Sequence, residues 1–286
     1  MSWRPTRLAE RCAELIARGG VAAIAGALMT TGAYPVLLHG VLGRPPRSRR
    51  GVAAMFGEWA SGALASAARP LGLFAGLGGL PGASARGARP VVVVHGYAMS
   101  RACFALLARR LARAGHGPVF GFEYWTLGRV GTAAQRLAAF VAEVRARTGS
   151  DRVDIVGHSM GGVVARYYIA FHGGDAEVAH LVTVGSPLGG TGVSALAIGF
   201  ASRELVGGSP LLTRLAAVGI SPTMKWLALW SHGDVLVPAH QQVAPPGAAT
   251  LAYEHLGHVA MLASRRVAED ISSFLKCAVV LVACWD

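Results

Sequence analysis

Lysine is nearly absent: among 27 basic residues only Lys225 and Lys276 are lysines, and arginine supplies the rest. The 15 acidic residues leave a net charge of +12, yet that charge does not read as a nucleic-acid footprint. Apart from the run at 44–50 the arginines are scattered, and aromatics make up only 7% of the chain. The interleaved basic and aromatic pattern of single-strand binders is therefore missing, and no nucleic-acid partner is expected. Arginine with abundant Ala and Gly reflects genomic codon composition, although a basic surface still favours anionic lipid. Cysteine is scarce too. Cys12, Cys103, Cys277 and Cys284 form no CxxC pair and no metal-ligand spacing, so four free thiols are expected. No repeat of solenoid period occurs, which excludes a stacked-repeat architecture.

What the chain does have is apolar residues, 53% of the 286, with a mean hydropathy of +0.45. Its character changes near Arg86–Pro90. The sequence predicts an apolar N-terminal extension over 1–88 and an α/β domain over 89–286. Within the extension, Gly19–Gly43 carries no Asp, Glu, Lys or Arg and is long enough for a bilayer, which needs about 20 residues. Arginines flank it on both sides, so one straight span would strand a basic cluster outside. Gly32 and Pro35 offer a broken hairpin that keeps both clusters on one membrane face. The other reading packs two helices on the α/β domain. Residues 51–68 form a second, weaker helical stretch carrying Glu58 and Trp59, and Pro70–Ala85 reads as a linker. A secretory signal fits poorly, because the charged region is long and the only Ala-x-Ala-like site near a boundary, at 83–85, lies far beyond the apolar run.

From Pro90 onward, strands alternate with helices. Val91–His95, Val119–Phe122, Arg152–Val156, His180–Val184, Lys225–Trp230 and Thr250–Tyr253 read as strands. Ala102–Ala114, Val130–Arg147, Gly162–Phe171 and Ser264–Phe274 read as helices. This order predicts a mostly parallel sheet covered on both faces, with ligands beyond the carboxyl ends of the strands.

The segment VDIVGHSMGG places Ser159 between Gly157 and Gly161, after a strand and before a helix. A strand that turns at once into a helix forces the serine into a strained backbone state, and glycines leave room for the close approach. The strain lifts the hydroxyl clear of the sheet edge, and a helix N-terminus lies beneath it. A serine hydroxyl is a weak nucleophile and needs a base held by a carboxylate. His172 and His180 fall at the wrong end of the sheet. His258, in LGHVAML after the last strand, is the preferred base, His255 is the runner-up, and His240 fits a surface role. Among the intervening acids, Asp175 and Glu177 belong to the far end, Glu204 to an insertion and Glu254 to the histidine loop. Asp234 follows KWLALW by a short turn and reaches the carboxyl edge. Oxyanion donors are expected from the backbone N–H of Met160 and, in His95-Gly96-Tyr97, that of Tyr97; His95 itself is expected to bond to its loop.

Together VVVVHGY, VDIVGHSMGG, LVTVGSPLGGT, and SHGDVLVP with LGHVAML resemble the bacterial lipases and esterases of the α/β-hydrolase superfamily, in particular the triacylglycerol-lipase-like group. The resemblance covers 89–274. It implies a serine hydrolase cleaving carboxylic esters of acyl-lipid type, with Ser159, His258 and Asp234 as triad, Tyr97 and Met160 as oxyanion donors, and Gly157, His158 and Gly161 at the nucleophile turn. The chain lacks the pair of aspartates that bind calcium in some of these enzymes, so no metal is expected, and no cofactor. Residues 189–222 lie where such enzymes carry a cap, and its helix-compatible pieces, Val193–Leu205 and Pro210–Val218, either form a lid over an acyl pocket or simply pack on the domain. Tyr124 and Trp125 are candidates for the pocket wall. Two rivals remain: an acyltransferase using the same residues, and a membrane-associated binding protein without turnover. A membrane surface met through 19–43, in a bacterial inner membrane, is the expected location, with a soluble cytoplasmic protein as the alternative.

Overall fold

The computed structural model describes residues 57–58, 60–62, 88–192, 194, 199–220 and 222–276. The expected membrane hairpin at 19–43, the linker at 70–85 and three of the cysteines lie outside the described residues. Among the described residues no helix is long and apolar enough to cross a membrane.

The described strands are β1 (Val91–Val94), β2 (Val119–Phe122), β3 (Val153–His158), β4 (Val178–Val184), β5 (Lys225–Ser231) and β6 (Ala249–Tyr253). They form one sheet of six strands in the order β2-β1-β3-β4-β5-β6, with every neighbouring pair parallel. Parallel strands need helical crossovers, and these cover both faces. From β1 onward the described α-helices are α1 (Ala105–Arg113), α2 (Val130–Thr148), α3 (Met160–Phe171), α4 (Gly174–Glu177), α5 (Phe200–Glu204), α6 (Pro210–Ala216), α7 (Ala260–Ala263) and α8 (Arg265–Lys276).

The four valines of β1 explain why a strand here is apolar at every position. Val92 and Val94 pack with Leu137 and Val141 of α2 and Val163 and Tyr168 of α3. Val91 and Val93 face the other way, onto Leu107 and Leu111 of α1 and Val267 and Ile271 of α8. Each fully buried aliphatic side chain of this kind contributes about 1.5–3 kcal/mol. Helix α2 ends at Gly149, whose φ of 67° supplies the left-handed turn that a residue with a Cβ resists.

The structure moves several predicted boundaries. β3 continues through Gly157 to His158, and α3 begins at Met160, so only Ser159 separates them. The predicted helix at 102–114 opens as a 3₁₀ turn over Arg101–Phe104 before α1. The far end of the sheet holds a polar group instead of a site. Asp154 accepts from Arg89 at 2.9 Å and lies 2.8 Å from His180 Nδ1, so His180 is a structural partner at the edge where the strands begin.

Candidate active site

The single residue between β3 and α3 has φ 53° and ψ −129°, a conformation that costs a non-glycine residue of order 1–3 kcal/mol. The surroundings hold it there. Ser159 donates its backbone N–H to Val184 O at 2.8 Å, and Ser159 O accepts from Gly162 N–H at 3.0 Å. The glycines are needed: Gly157 approaches Gly161 as predicted, with a Cβ on it 2.9 Å from Gly161 C, and Gly162 lies nearer still. A Cβ on Gly157 would lie 2.6 Å from Gly162 Cα. One on Gly161 would lie 2.1 Å from Val94 O and 2.6 Å from His95 O, so Gly161 passes beneath the end of β1. Backbone oxygens have no rotamer by which to yield. Gly161→Ala is therefore expected to destabilise the fold by on the order of 2–3 kcal/mol, read as a lower midpoint in urea unfolding.

His258 follows β6 and is buried, and its Nδ1 lies 2.7 Å from Asp234 Oδ2. Asp234 is itself gripped, since Oδ1 accepts the N–H groups of Leu236 and Val237, both at 2.9 Å. Gln242 Nε2 approaches Oδ2 at 3.4 Å, a contact its position in the sequence gave no reason to look for. Gly185, at φ 58°, makes space for the pair: a Cβ there would stand 3.1 Å from Asp234 Oδ2 and 3.2 Å from His258 Nδ1. Burial disfavours the imidazolium, but the charge of Asp234, its hydrogen bond and the charge of Glu58 outweigh that. The His258 pKa is accordingly held above the ordinary histidine value.

His158 has a second function beyond the turn. Its ring stands 4.6 Å from that of His258, and its Nε2 donates to the His258 carbonyl at 3.0 Å. Burial first, and then the charge of His258, push the His158 pKa well below its ordinary value. It is a neutral donor that ties the histidine loop to the end of β3.

Ser159 and His258 line the same cavity, together with Tyr97, Met160, Leu205, Leu236 and Val237. Gly96 brings the loop after β1 against the serine, because a Cβ on it would be 2.9 Å from Ser159 Cβ. The next residue but one, Ala98, has φ 55° and donates its N–H to Thr126 Oγ1 at 3.1 Å, which fixes the curvature of the loop at Tyr97. Met160 opens α3, where the first N–H groups of a helix have no intrahelical acceptor. His95 bonds to the loop as expected: Nδ1 is 3.0 Å from Gly96 O, and Nε2 is 2.9 Å from Glu123 Oε1.

The other named residues go elsewhere. His255 and His240 are exposed. Glu204 accepts the N–H of Val130 at the start of α2, at 2.7 Å, and Glu177 bonds Arg145 and the Tyr168 hydroxyl. Tyr124 is buried under the β1 loop with its hydroxyl on His95 O, and Trp125 is 45% exposed, so neither forms the pocket wall. From the predicted cap, Thr191, Ser194, Ser202 and Leu205 line the cavity. One contributor comes from well before β1: both carboxylate oxygens of Glu58 accept the N–H of Val259, at 2.9 and 2.8 Å, and Oε2 also accepts that of Ala260 at 2.9 Å.

Comparison with known proteins agrees with this architecture. The mature form of the Bacillus licheniformis lipase BlEst2 is similar over 69% of this chain and 96% of its own, with a TM-score of 0.62 at 16% identity. A monoacylglycerol lipase of Paleococcus ferrophilus is similar over 68% and 95%, with a TM-score of 0.52 at 16% identity. Aspergillus fumigatus lipase B matches over 62% of this chain and 49% of its own, with a TM-score of 0.54 at 14% identity. Identities this low speak to the fold alone. The model of the alpha/beta hydrolase fold matches residues 89–238, more than half of the sequence, and the chain belongs to that family.

Proposed function

We propose that the protein is a serine hydrolase of carboxylic esters, working through an acyl-enzyme. The reading rests on one observation above all, the 2.7 Å contact between His258 and Asp234 at the wall of the cavity that Ser159 also lines. Ser159 Oγ attacks the ester carbonyl while His258 Nε2 takes its proton. The tetrahedral oxyanion is held by the backbone N–H groups of Met160 and Tyr97. As the C–O bond to the alcohol breaks, the imidazolium returns the proton to the leaving oxygen. Water then attacks the acyl-enzyme by the same proton route, releasing the carboxylic acid and restoring the serine. Asp234 holds Nδ1–H and stabilises the positive ring. The apolar side chains of Leu205, Leu236 and Val237 favour an acyl chain over a charged substrate.

The same names that describe the similar structures, lipases of several kinds, accord with an acyl-lipid ester as substrate. The test is labelling of the full-length protein with a fluorophosphonate, followed by hydrolysis of p-nitrophenyl esters of graded acyl length. Labelling confined to Ser159 and turnover of at least one ester are expected. Absence of both would sink the proposal, and transfer to an added alcohol in place of hydrolysis would turn it into an acyltransferase. A pH profile adds a further expectation. Because the His258 pKa is raised, kcat/KM should fall as pH drops through a value above the free-histidine pKa of about 6.5.

A further inference from the structure

Glu58 stands apart in sequence from everything else at the site. It lies in a helical stretch (57–58 and 60–62) well before β1, and outside the residues that match the family model. Nevertheless its side chain reaches the loop of the proposed base, where its two oxygens take the N–H groups of Val259 and Ala260, immediately after His258. The histidine loop is shaped around it. The three atoms nearest to a Cβ built on Gly257 all belong to Glu58, at 2.4, 2.7 and 2.9 Å, so a glycine precedes the histidine where the carboxylate enters.

Accepting with both oxygens suits the ionised carboxylate, which is acceptor-only. The Glu58 carboxyl stays above its ordinary value: burial pushes it up, the charge of His258 and the Val259 and Ala260 N–H groups pull it only part of the way back, and the charge of Asp234 adds to the rise. Among the described residues, the groups that face His258 are then Asp234 on Nδ1, the neutral His158 on its ring and carbonyl, and Glu58 behind its backbone. Glu58 is the second negative charge of that set, and it comes from the N-terminal extension.

We infer that Glu58 is a positioning residue for His258: the N-terminal extension supplies a carboxylate that pins the histidine loop from behind its backbone and sets a second negative charge beside the imidazole. This rests on the reading of His258 as the base. It makes the extension part of the active-site assembly rather than an appendage.

The test uses the full chain and the pH dependence of fluorophosphonate labelling at Ser159, which reports the protonation of the base without a natural substrate. Glu58→Gln keeps the shape and one acceptor but removes the charge. Its acid limb is expected to move to lower pH by on the order of half a unit, because the imidazolium has lost a stabilising charge. Glu58→Ala removes the acceptors too, and its labelling rate at the plateau should fall on the order of tenfold. Gly257→Ala forces the carboxylate away by an independent route, so it should shift the limb in the same direction and add no further shift in the Glu58→Gln background. A limb that stays at the wild-type pH in Glu58→Gln overturns the inference whatever happens to rate or stability, since a merely structural support moves those and not the limb. Wild-type protein that never labels would overturn the triad reading instead, which keeps the two failures apart.

Discussion

Ser159→Ala is expected to lower kcat for ester hydrolysis on the order of 10⁶-fold and to eliminate fluorophosphonate labelling, with the unfolding midpoint little changed. Removing Oγ takes away the atom that forms the acyl bond, while the backbone that presents it is held by Val184 O, Gly157 and Gly161. Alanine keeps the strain, since its Cβ is as poorly placed at φ 53° as that of serine. Ser159→Gly separates the two effects. Glycine takes positive φ without penalty, so this variant should be equally inactive yet more stable than wild type by about 1 kcal/mol. A stabilised, dead variant would show that strain at this turn is retained for what the serine does and not for the fold. Residual turnover within tenfold of wild type in Ser159→Ala would remove the hydroxyl from the mechanism.

Much of the sheet was legible because its strands are apolar at nearly every position and its crossovers are periodic. β1 could be read from four valines, and α2 from Leu137, Val141 and Val144 along one side. Asp234 and His258 could be sought after strands by the rule that ligands meet the carboxyl edge; His258 lines the cavity that Ser159 lines, and Asp234 lies against its Nδ1. The residues that hold these three were not legible. Gln242, the N–H groups of Leu236 and Val237, and the ring of His158 act through local geometry that no spacing encodes. Ala98 gave no sign of its positive φ, because alanine is not a residue that announces such a turn. Glu58 was the hardest case: it looked like one acid in a weak helical stretch, and its partners lie about two hundred positions away. Contacts of that separation are set by packing, and a single sequence carries no trace of them.

The asymmetry of the carboxylate at 234 gives the second large prediction. Oδ1 accepts two backbone N–H groups, while Oδ2 accepts the imidazole Nδ1–H with Gln242 Nε2 close by. In Asp234→Asn the amide oxygen will keep the place of Oδ1, because the two N–H donors leave no room for an NH₂ there. The NH₂ then occupies the place of Oδ2 and points a proton at His258. The ring must answer with an unprotonated Nδ1, which puts its proton on Nε2, the nitrogen that has to receive the proton of Ser159. A loss of kcat on the order of 10⁴-fold is expected, with KM nearly unchanged. The imidazolium also loses its main stabilising charge in a buried site, so the His258 pKa drops and the acid limb of any residual activity moves to lower pH. Both effects follow from exchanging one oxygen for nitrogen, with the fold intact. Near-wild-type turnover by Asp234→Asn, in a protein that still labels at Ser159, would mean that the orientation of His258 is set by Glu58 and His158 alone.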